Sequence, residues 1–134
     1  MMDSVVVDTD VISYWFKGDT RAKLYRRHLL GKAPVVSFMT VAELDEWVIQ
    51  HQWSEKRREE LTRHLQQCLF YPADRELCRY WADVRESCRR VGRTINPADA
   101  WIAATAVALR IPLVTHNALD YQGVAGLTII TEAA

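Results

Sequence analysis

The sequence is poor in residues that cross-link or interrupt a chain. It contains three cysteines, five glycines and four prolines among 134 residues. Cys68, Cys78 and Cys88 are odd in number and lack CxxC spacing, which argues against a disulfide framework and a zinc site. We expect reduced thiols that pack in a core. No Pro-, Gly- or Ser-rich linker divides the chain, so the sequence predicts a single domain over residues 1–134.

Long apolar runs and an excess of one charge are also absent. The N-terminal MMDSVVVDTD has only three consecutive valines before an acid, which is too short for a signal peptide or a membrane span. The sequence therefore predicts no membrane association and a cytoplasmic location. Seventeen basic and 17 acidic residues cancel, so a nucleic-acid partner would have to be held by a local site.

Histidine is scarce and is not arranged for metal binding. His28, His51, His64 and His116 form no i, i+4 pair and no HExxH motif, which argues against a histidine metal centre. His116 is the one histidine close to acidic residues in sequence. A metal site in this chain would therefore have to use oxygen ligands.

Strand-like runs alternate with helical patterns. Three valines at 5–7 predict a strand that ends at Asp8, with Asp10 as the cap of a short helix over 11–16. Helices are further predicted over 20–30, 40–50, 54–69, 74–91 and 97–109, and strands over 35–38, 69–71, 113–115 and 127–131. This alternation predicts an α/β, three-layer fold with a central, mainly parallel sheet flanked by helices.

Acidic and amide side chains follow several of these strands. The candidate catalytic residues are Asp8, Glu43, Asp99, Asn117 and Asp120, with Thr115 and Asp10 as candidate supporting residues. The carboxyl ends of parallel strands meet at one edge of a sheet, so these side chains are expected to gather there. An oxygen-only site selects Mg²⁺ or Mn²⁺ over zinc.

Three of these acids have a simple structural alternative. Thr40 and Glu43 fit a capping box at the start of a helix. Asp10 fits a helix N-cap, and Asp120 fits a turn in NALDYQG. None of the three predicts a catalytic site by itself.

For Asp99 and Asp8, a purely structural explanation is less complete. Asp99 follows Asn96 and Pro97 in a first helical turn, where the dipole favours an anion. That explanation would not predict acids at the ends of other elements. Asp8 comes directly after a buried strand, where an unpaired charge is costly. It therefore needs a cation, a hydrogen-bond donor or a metal.

Four stretches together resemble the signature blocks of the PIN-domain family, VapC toxin type. They are VVVDTDVIS, SFMTVAEL, NPADAWIAATA and LVTHNALDY, in the family's order, and the resemblance spans residues 5–130. It implies a PIN-like fold and a Mg²⁺-dependent endoribonuclease, with Mn²⁺ as the other candidate ion. It also implies an RNA substrate, a small antitoxin partner and a homodimer.

The resemblance assigns the first three acids of the family to Asp8, Glu43 and Asp99. At the fourth position this sequence has Asn117 where many relatives have aspartate, with Asp120 three residues on. Whether Asn117 or Asp120 completes the site, and whether it holds one or two ions, stays open. Thr115 resembles a small hydroxyl residue at the edge of the family's site.

Two other functions remain open. VVVDTDV also resembles the first motif of haloacid-dehalogenase-type phosphatases, in which Asp8 would attack phosphate and Asp10 would transfer a proton. No later lysine with a paired-acid block supports that alternative. A catalytically weak PIN-like binding module is the second alternative, which Asn117 in place of an acid keeps open.

Apolar faces give a further reason to expect a homodimer. The long apolar faces around Trp47, Val48, Trp81 and Val84 are more than a core of 134 residues needs. Tryptophans, including Trp101, are accordingly interpreted as core or dimer surface rather than as base-stacking platforms. The cations of RRVGR, residues 89–93, could grip phosphate, but they also suit an exposed helix end.

Overall fold

The structure is a computed structural model that describes residues 3–133. The α-helices are α1 (Thr9–Lys17), α2 (Ala22–Leu29), α3 (Phe38–Gln50), α4 (Glu55–Leu65), α5 (Arg75–Arg90) and α6 (Pro97–Leu109). The strands are β1 (Ser4–Val7), β2 (Ala33–Ser37), β3 (Leu69–Tyr71), β4 (Leu113–Val114) and β5 (Ile129–Ile130). A 3-10 helix, Ala118–Tyr121, follows β4.

The strands form one parallel sheet in the order β3-β2-β1-β4-β5. The chain builds from β1 outward to β2 and β3, and then crosses to β4 on the other side of β1. The switch in strand order therefore falls between β1 and β4, where ligand sites of open α/β sheets form. The backbone N–H of Asp8 donates to the carbonyl of Val114 at 2.9 Å, which ties the two strand ends together.

Helices cover both faces of this sheet. Val5 and Val7 of β1 pack on one face with Ile12 and Leu44, which belong to α1 and α3. Val6, between them, packs on the opposite face with residues of α5 and α6. Strand β1 is thus buried on both sides, as its unbroken valine run predicts. The predicted α/β fold with three layers is confirmed.

Helix α6 packs deeply because its side chains are small. Its residues Ala100, Ile102, Ala103, Ala104 and Ala106 are all 0–1% exposed. Alanine allows a helix to approach a sheet closely, and helix propensity is also highest for alanine. The start of α6, and Asp99 with it, is therefore fixed against the edge of the sheet.

The structure corrects the start of two helices. Helix α1 begins two residues earlier than predicted, and its N-cap is Asp8 rather than Asp10. Helix α3 begins at Phe38 with Ser37 as N-cap, whose hydroxyl accepts from the Met39 N–H at 3.0 Å. Thr40 lies inside the first turn of α3, so the predicted capping box with Glu43 is wrong. In both cases the cap is the residue at which the extended strand stops.

The prediction that the apolar residues around Val48 and Val84 form a dimer face is partly wrong. Val48 and Val84 are 7% and 3% exposed, because both belong to the protein's own core.

The prediction that the cysteines pack in the core is wrong for Cys78, which is exposed, whereas Cys88 is buried and Cys68 is half-buried. No helix within residues 3–133 is both long enough and apolar enough to cross a bilayer.

Candidate active site

Asp8 stands at the centre of the acid cluster and is 5% exposed. Its Oδ1 accepts the backbone N–H of Thr9 at 2.8 Å, as the N-cap of α1. Its Oδ2 accepts the Thr115 hydroxyl at 2.7 Å and the Tyr121 hydroxyl at 3.1 Å. All of these partners are neutral, so hydrogen bonds hold the carboxylate in place without neutralising its charge.

Asp99 approaches Asp8 from the first turn of α6. The side chain of Asn96 caps the helix by accepting the Asp99 N–H at 2.8 Å, and Pro97 occupies the first turn. The half-buried Asp99 carboxyl lies with Oδ1 at 3.3 Å from the Tyr121 hydroxyl. The helix-dipole explanation therefore holds for the position of Asp99, and the tertiary fold adds a contact with the same phenol that reaches Asp8.

Glu43 is held from a third element. Its Oε1 accepts the Thr9 hydroxyl at 2.8 Å, and the Thr9 hydroxyl lies 3.0 Å from the buried hydroxyl of Thr40. Since a hydroxyl has one proton, Thr9 donates to Glu43 and accepts from Thr40. The threonine interpreted from sequence as a helix cap thus orients Glu43 through Thr9.

Asp10 has a supporting position. Its Oδ1 accepts the Val11 N–H at 2.7 Å, and its Oδ2 accepts the His116 N–H at 3.1 Å. Both carboxylate oxygens are therefore engaged by backbone donors of α1 and of the loop after β4. This also confirms His116 as a histidine close to the acids.

Asn117 and Asp120 are both exposed, at the start and within the 3-10 helix Ala118–Tyr121. Asn117 lines the cleft that contains Asp8 and Asp99, whereas Asp120 does not line it. The charge of Asp120 is nevertheless close enough to raise the pKa of Asp99. Of the two candidates for the fourth position, the structure brings Asn117 nearer to the cleft.

The surroundings of Asp8, Asp10 and Asp99 disfavour the charged forms of these carboxyl groups and so raise their pKa values. Burial, together with the neighbouring Asp10 charge, raises the pKa of Asp8 to about 7. Burial, together with Asp8 and Asp120, raises the pKa of Asp99 to about 6. Burial also raises the pKa of Asp10 to about 6, with Asp99 adding to the rise. A cation from outside the chain would relieve this repulsion.

The cleft in front of the acids has a volume of about 430 Å³. Of the described residues that line it, five carry carboxylates and one, Lys17, carries a positive charge. The Lys17 ammonium lies 3.9 Å from the centre of the Trp47 ring, which also lines the cleft. Trp47 is therefore part of the site's wall, a role that the sequence interpretation as core or dimer surface missed.

A larger cavity of about 590 Å³ lies between α1 and α2. It is lined mainly by apolar and basic side chains and contains none of the cleft carboxylates. Size alone would favour this cavity as the active site, but the clustered acids lie in the smaller cleft, at the carboxyl edge of the sheet where ligand sites of open α/β sheets form. We therefore place the candidate active site at the smaller cleft.

Three supporting residues escaped sequence reasoning: Thr9, Thr40 and Tyr121. Thr9 offered a weak signal, because it lies between two acids in VVVDTDV. Tyr121 offered none, since a tyrosine in NALDYQG is typical of a surface turn. Its inward orientation follows from the 3-10 helix, which the sequence did not predict.

The arginines of RRVGR do not reach the acids. Arg89 and Arg90 pair with Glu86 on their own helix at 2.6 and 3.1 Å, and Arg93 is exposed. The interpretation as an exposed helix end accounts for Arg89 and Arg90. The phosphate-gripping alternative finds no support at the cleft.

Comparison with known proteins agrees with this geometry. Residues 5–125 match the PIN domain family. The chain belongs to this family. This PIN-domain protein is 29% identical over 129 residues to "Ribonuclease VapC1" of Haemophilus influenzae strain R2866, covering 91% of this chain and 92% of the relative. The resemblance inferred from the four sequence blocks is confirmed.

Solved structures show the same fold. The VapBC-1 structure from nontypeable Haemophilus influenzae matches with a TM-score of 0.81 and 25% identity, covering 96% of this chain and 97% of that one. VapBC2 from Rickettsia felis, bound to a DNA fragment from its promoter, matches with a TM-score of 0.84 and 20% identity, covering 96% and 98%. The PIN-domain match favours a nuclease over the phosphatase alternative.

Proposed function

We propose that this protein is an endoribonuclease that depends on a divalent metal ion and acts as the toxin of a toxin–antitoxin pair. The main support for the proposal is that Asp8, Glu43 and Asp99, which come from three separate elements, line one cleft at the carboxyl edge of the sheet. Membership of the PIN family and similarity to a relative named as a ribonuclease support it.

The donor set fits a hard divalent cation. Within residues 3–133 no three acidic, histidine or cysteine side chains are already close enough together to hold one ion. The described acidic and amide residues that line the cleft nevertheless offer oxygen donors. Burial, with neighbouring acids adding to it, raises the pKa values of Asp8 and Asp99. Oxygen donors favour Mg²⁺, with Mn²⁺ as the natural substitute.

Asp8, Glu43 and Asp99 are the residues that would hold the ion. The Asn117 amide oxygen is the neutral candidate beside them, and the exposed Asp120 adds charge from outside the cleft. When bound, such an ion supplies a Lewis acid that activates water and offsets charge on the reacting phosphate.

The chain's own contribution is to orient these oxygens before substrate arrives. Asp8 is fixed by three donors, and Glu43 is fixed by the Thr9 hydroxyl. Fixed carboxylates cost little reorganisation when the reaction begins. No covalent nucleophile is required in this scheme, since a water molecule attacks the phosphate.

The side chains that line the cleft suit an RNA substrate. Lys17 offers a positive charge for a phosphate, and Trp47 offers an aromatic ring next to it. Single-stranded nucleic acids bind to such combinations of cations and aromatic faces. An exposed cleft of this kind also suits an endonuclease, because a continuous strand can pass through it.

A protein partner is part of the proposal. The solved neighbours are VapBC complexes, so we propose that a small antitoxin binds this chain as well.

We also propose that the protein forms a homodimer, although the buried Val48 and Val84 do not support it. The exposed apolar residues Leu69 and Phe70 on the edge strand β3 are a better reason to expect self-association. We likewise propose one domain for residues 1–134.

The direct test is cleavage of a single-stranded RNA by the purified protein. We expect cleavage with Mg²⁺ or Mn²⁺, its loss on adding a chelator, and its return when excess metal is restored. Asp45→Asn, which removes an exposed carboxylate from α3 outside the cleft, serves as the control and should cleave normally. Metal-saturated protein that binds RNA without cutting it would identify a binding module, and a trapped phosphate on Asp8 would identify a phosphatase.

A further inference from the structure

Tyr121 brings a buried phenol between two acids of the cleft, Asp8 and Asp99. Its side chain is 1% exposed, and its hydroxyl lies 3.1 Å from Asp8 Oδ2 and 3.3 Å from Asp99 Oδ1. Within residues 3–133 no other side chain lies within hydrogen-bond distance of both of these carboxyl groups. The contact joins the end of β1 to the start of α6 through a residue of the 3-10 helix.

Counting protons and lone pairs shows which oxygens remain free. A phenol has one proton to donate, and a carboxylate oxygen accepts about two hydrogen bonds. Asp8 Oδ2 is filled by Thr115 and Tyr121, whereas Asp8 Oδ1 accepts only the Thr9 N–H. On Asp99, Tyr121 contacts Oδ1, and Oδ2 has no hydrogen bond from the described residues.

We propose that Tyr121 is a positioning residue for the divalent cation, whose hydroxyl orients Asp8 and Asp99 so that a lone pair of Asp8 Oδ1 and the Oδ2 atom of Asp99 stay available to the ion. The inference rests on the proposed function, because it assumes that these two acids are metal ligands. It also assigns a role to the segment after β4. In this chain that segment acts through the donors Thr115 and Tyr121, in addition to any contact made by Asn117.

The expected effect follows from how outer donors tune metal sites. Removing a hydrogen-bond partner of a metal ligand typically weakens metal binding or activity by about 10- to 100-fold. Tyr121→Phe removes only the hydroxyl and keeps the ring, which is part of the core on the α5 and α6 side of the sheet. The fold should therefore survive while the two carboxyl groups lose their shared donor.

The test is the affinity for Mn²⁺ alone, measured by the electron paramagnetic resonance signal of the free ion. Tyr25→Phe is the matched control, because Tyr25 is also buried and its hydroxyl contacts the Thr115 carbonyl, His116 and the Glu132 N–H but neither acid. We expect the Kd for Mn²⁺ to rise about tenfold or more in Tyr121→Phe and to change by less than about twofold in Tyr25→Phe.

Cleavage gives a second readout. If Tyr121 acts through the ion, the RNA cleavage rate of Tyr121→Phe should recover as Mn²⁺ is raised, and its KM for RNA should stay at the wild-type value. The rise in Tm on adding Mn²⁺, taken relative to each variant's own metal-free Tm, gives the same comparison even for a less stable variant.

The outcomes separate this inference from the proposed function. An unchanged Kd for Mn²⁺ in Tyr121→Phe, or an equal loss in Tyr25→Phe, overturns the positioning role while wild-type cleavage still supports the nuclease. A wild-type protein that neither binds Mn²⁺ nor cleaves RNA overturns both. A tighter Kd in Tyr121→Phe would show that the hydroxyl competes with the ion, which also contradicts the inference.

Discussion

Glu86 on α5 and Asp8 at the end of β1 are both carboxylates, but their surroundings move their pKa values in opposite directions. Hydrogen bonds from Arg89 and then Arg90 lower the pKa of the exposed Glu86 to about 2. Burial and the charge of Asp10 raise the pKa of Asp8 to about 7. The chain therefore supplies the counter-charge for one acid and leaves the other without it.

This difference supports the proposal that the acid cleft binds a cation. A buried carboxylate that the chain does not neutralise is costly, and neighbouring acids increase the cost. On α5, by contrast, Arg89 and Arg90 both pair with Glu86. Acids grouped at the cleft with a single lysine are thus best explained by a cation that comes from solution.

The largest effect should come from removing one cleft carboxylate. Asp99→Asn keeps the size of the side chain but removes a charge that would hold the ion, so RNA cleavage should fall by more than about 100-fold. Metal-free stability should stay the same or rise, because a repelling charge is gone. Cleavage assays in saturating Mg²⁺ and thermal melts without metal measure the two effects.

A purely structural role for Asp99 predicts the reverse. Loss of its charge at the helix start would then cost about 0.3–1 kcal/mol of stability and leave cleavage intact. Asp45→Asn, on the exposed face of α3, controls for the loss of one acid. Wild-type cleavage by Asp99→Asn would remove Asp99 from the metal site.

The pH dependence of stability sharpens the comparison between Asp8 and Glu86. The pKa of Asp8 is raised in the folded state from 3.8 to about 7, so the folded protein binds more protons than the unfolded chain. Without metal, its contribution to stability should therefore fall as pH rises from about 4 to 7, by more than about 1 kcal/mol. The lowered pKa of Glu86 acts in the opposite sense at and below its ordinary value of 4.5, so Glu86 contributes little above about pH 5.

Urea unfolding at pH 5 and pH 8 measures this fall, with and without Mg²⁺. Burial lowers the pKa of His64, which acts in the opposite sense in part of the same window. The difference between wild type and Asp8→Asn reports the Asp8 carboxylate together with its effect on the pKa of Asp99. A wild-type curve that matches Asp8→Asn at both pH values would contradict the raised pKa.

A smaller effect is expected at Lys17 on the cleft wall. Lys17→Ala should raise the KM for RNA several-fold, since a phosphate contact is lost, and should leave the Mn²⁺ affinity unchanged. The salt dependence of RNA binding should weaken by about 0.7 in the log–log slope for one lost contact to a single strand. Lys56→Ala, exposed on α4, is the control, and equal slopes for both variants would exclude a role for Lys17.

The smallest effect should come from the paired acid on α5. Glu86→Gln removes the partner of Arg89 and Arg90 at an exposed site, where ion pairs contribute little. Mn²⁺ affinity and RNA cleavage should both equal the wild-type values. A clear loss of cleavage in this variant would show that the arginine-rich end of α5 takes part in the reaction after all.

Part of the site could be predicted because it depends on local signals. The valine run of β1 sets the strand, and Asp8 follows where that strand must end. Asn96 and Pro97 set the start of α6, which fixes Asp99 in its first turn. The parallel arrangement then brings both acids to the same edge, because the carboxyl ends of such strands lie together.

Other features could not be read from local patterns. Ser37 rather than Thr40 caps α3, because the cap lies where β2 stops and the extent of a strand depends on its partners. Trp47 has an apolar helical position that suits a core, but the packing of α1 beside α3 leaves it on the cleft wall.

The sequence by itself determined the order of strands and helices, the buried central strand and the presence of acids at element ends, since each depends on neighbouring residues. Only the tertiary structure decided how those acids are held. Asp8 and Tyr121 are 113 positions apart, and Thr9 and Glu43 are 34 apart. Hydrogen bonds across such separations depend on where whole elements pack, and no local pattern encodes that distance.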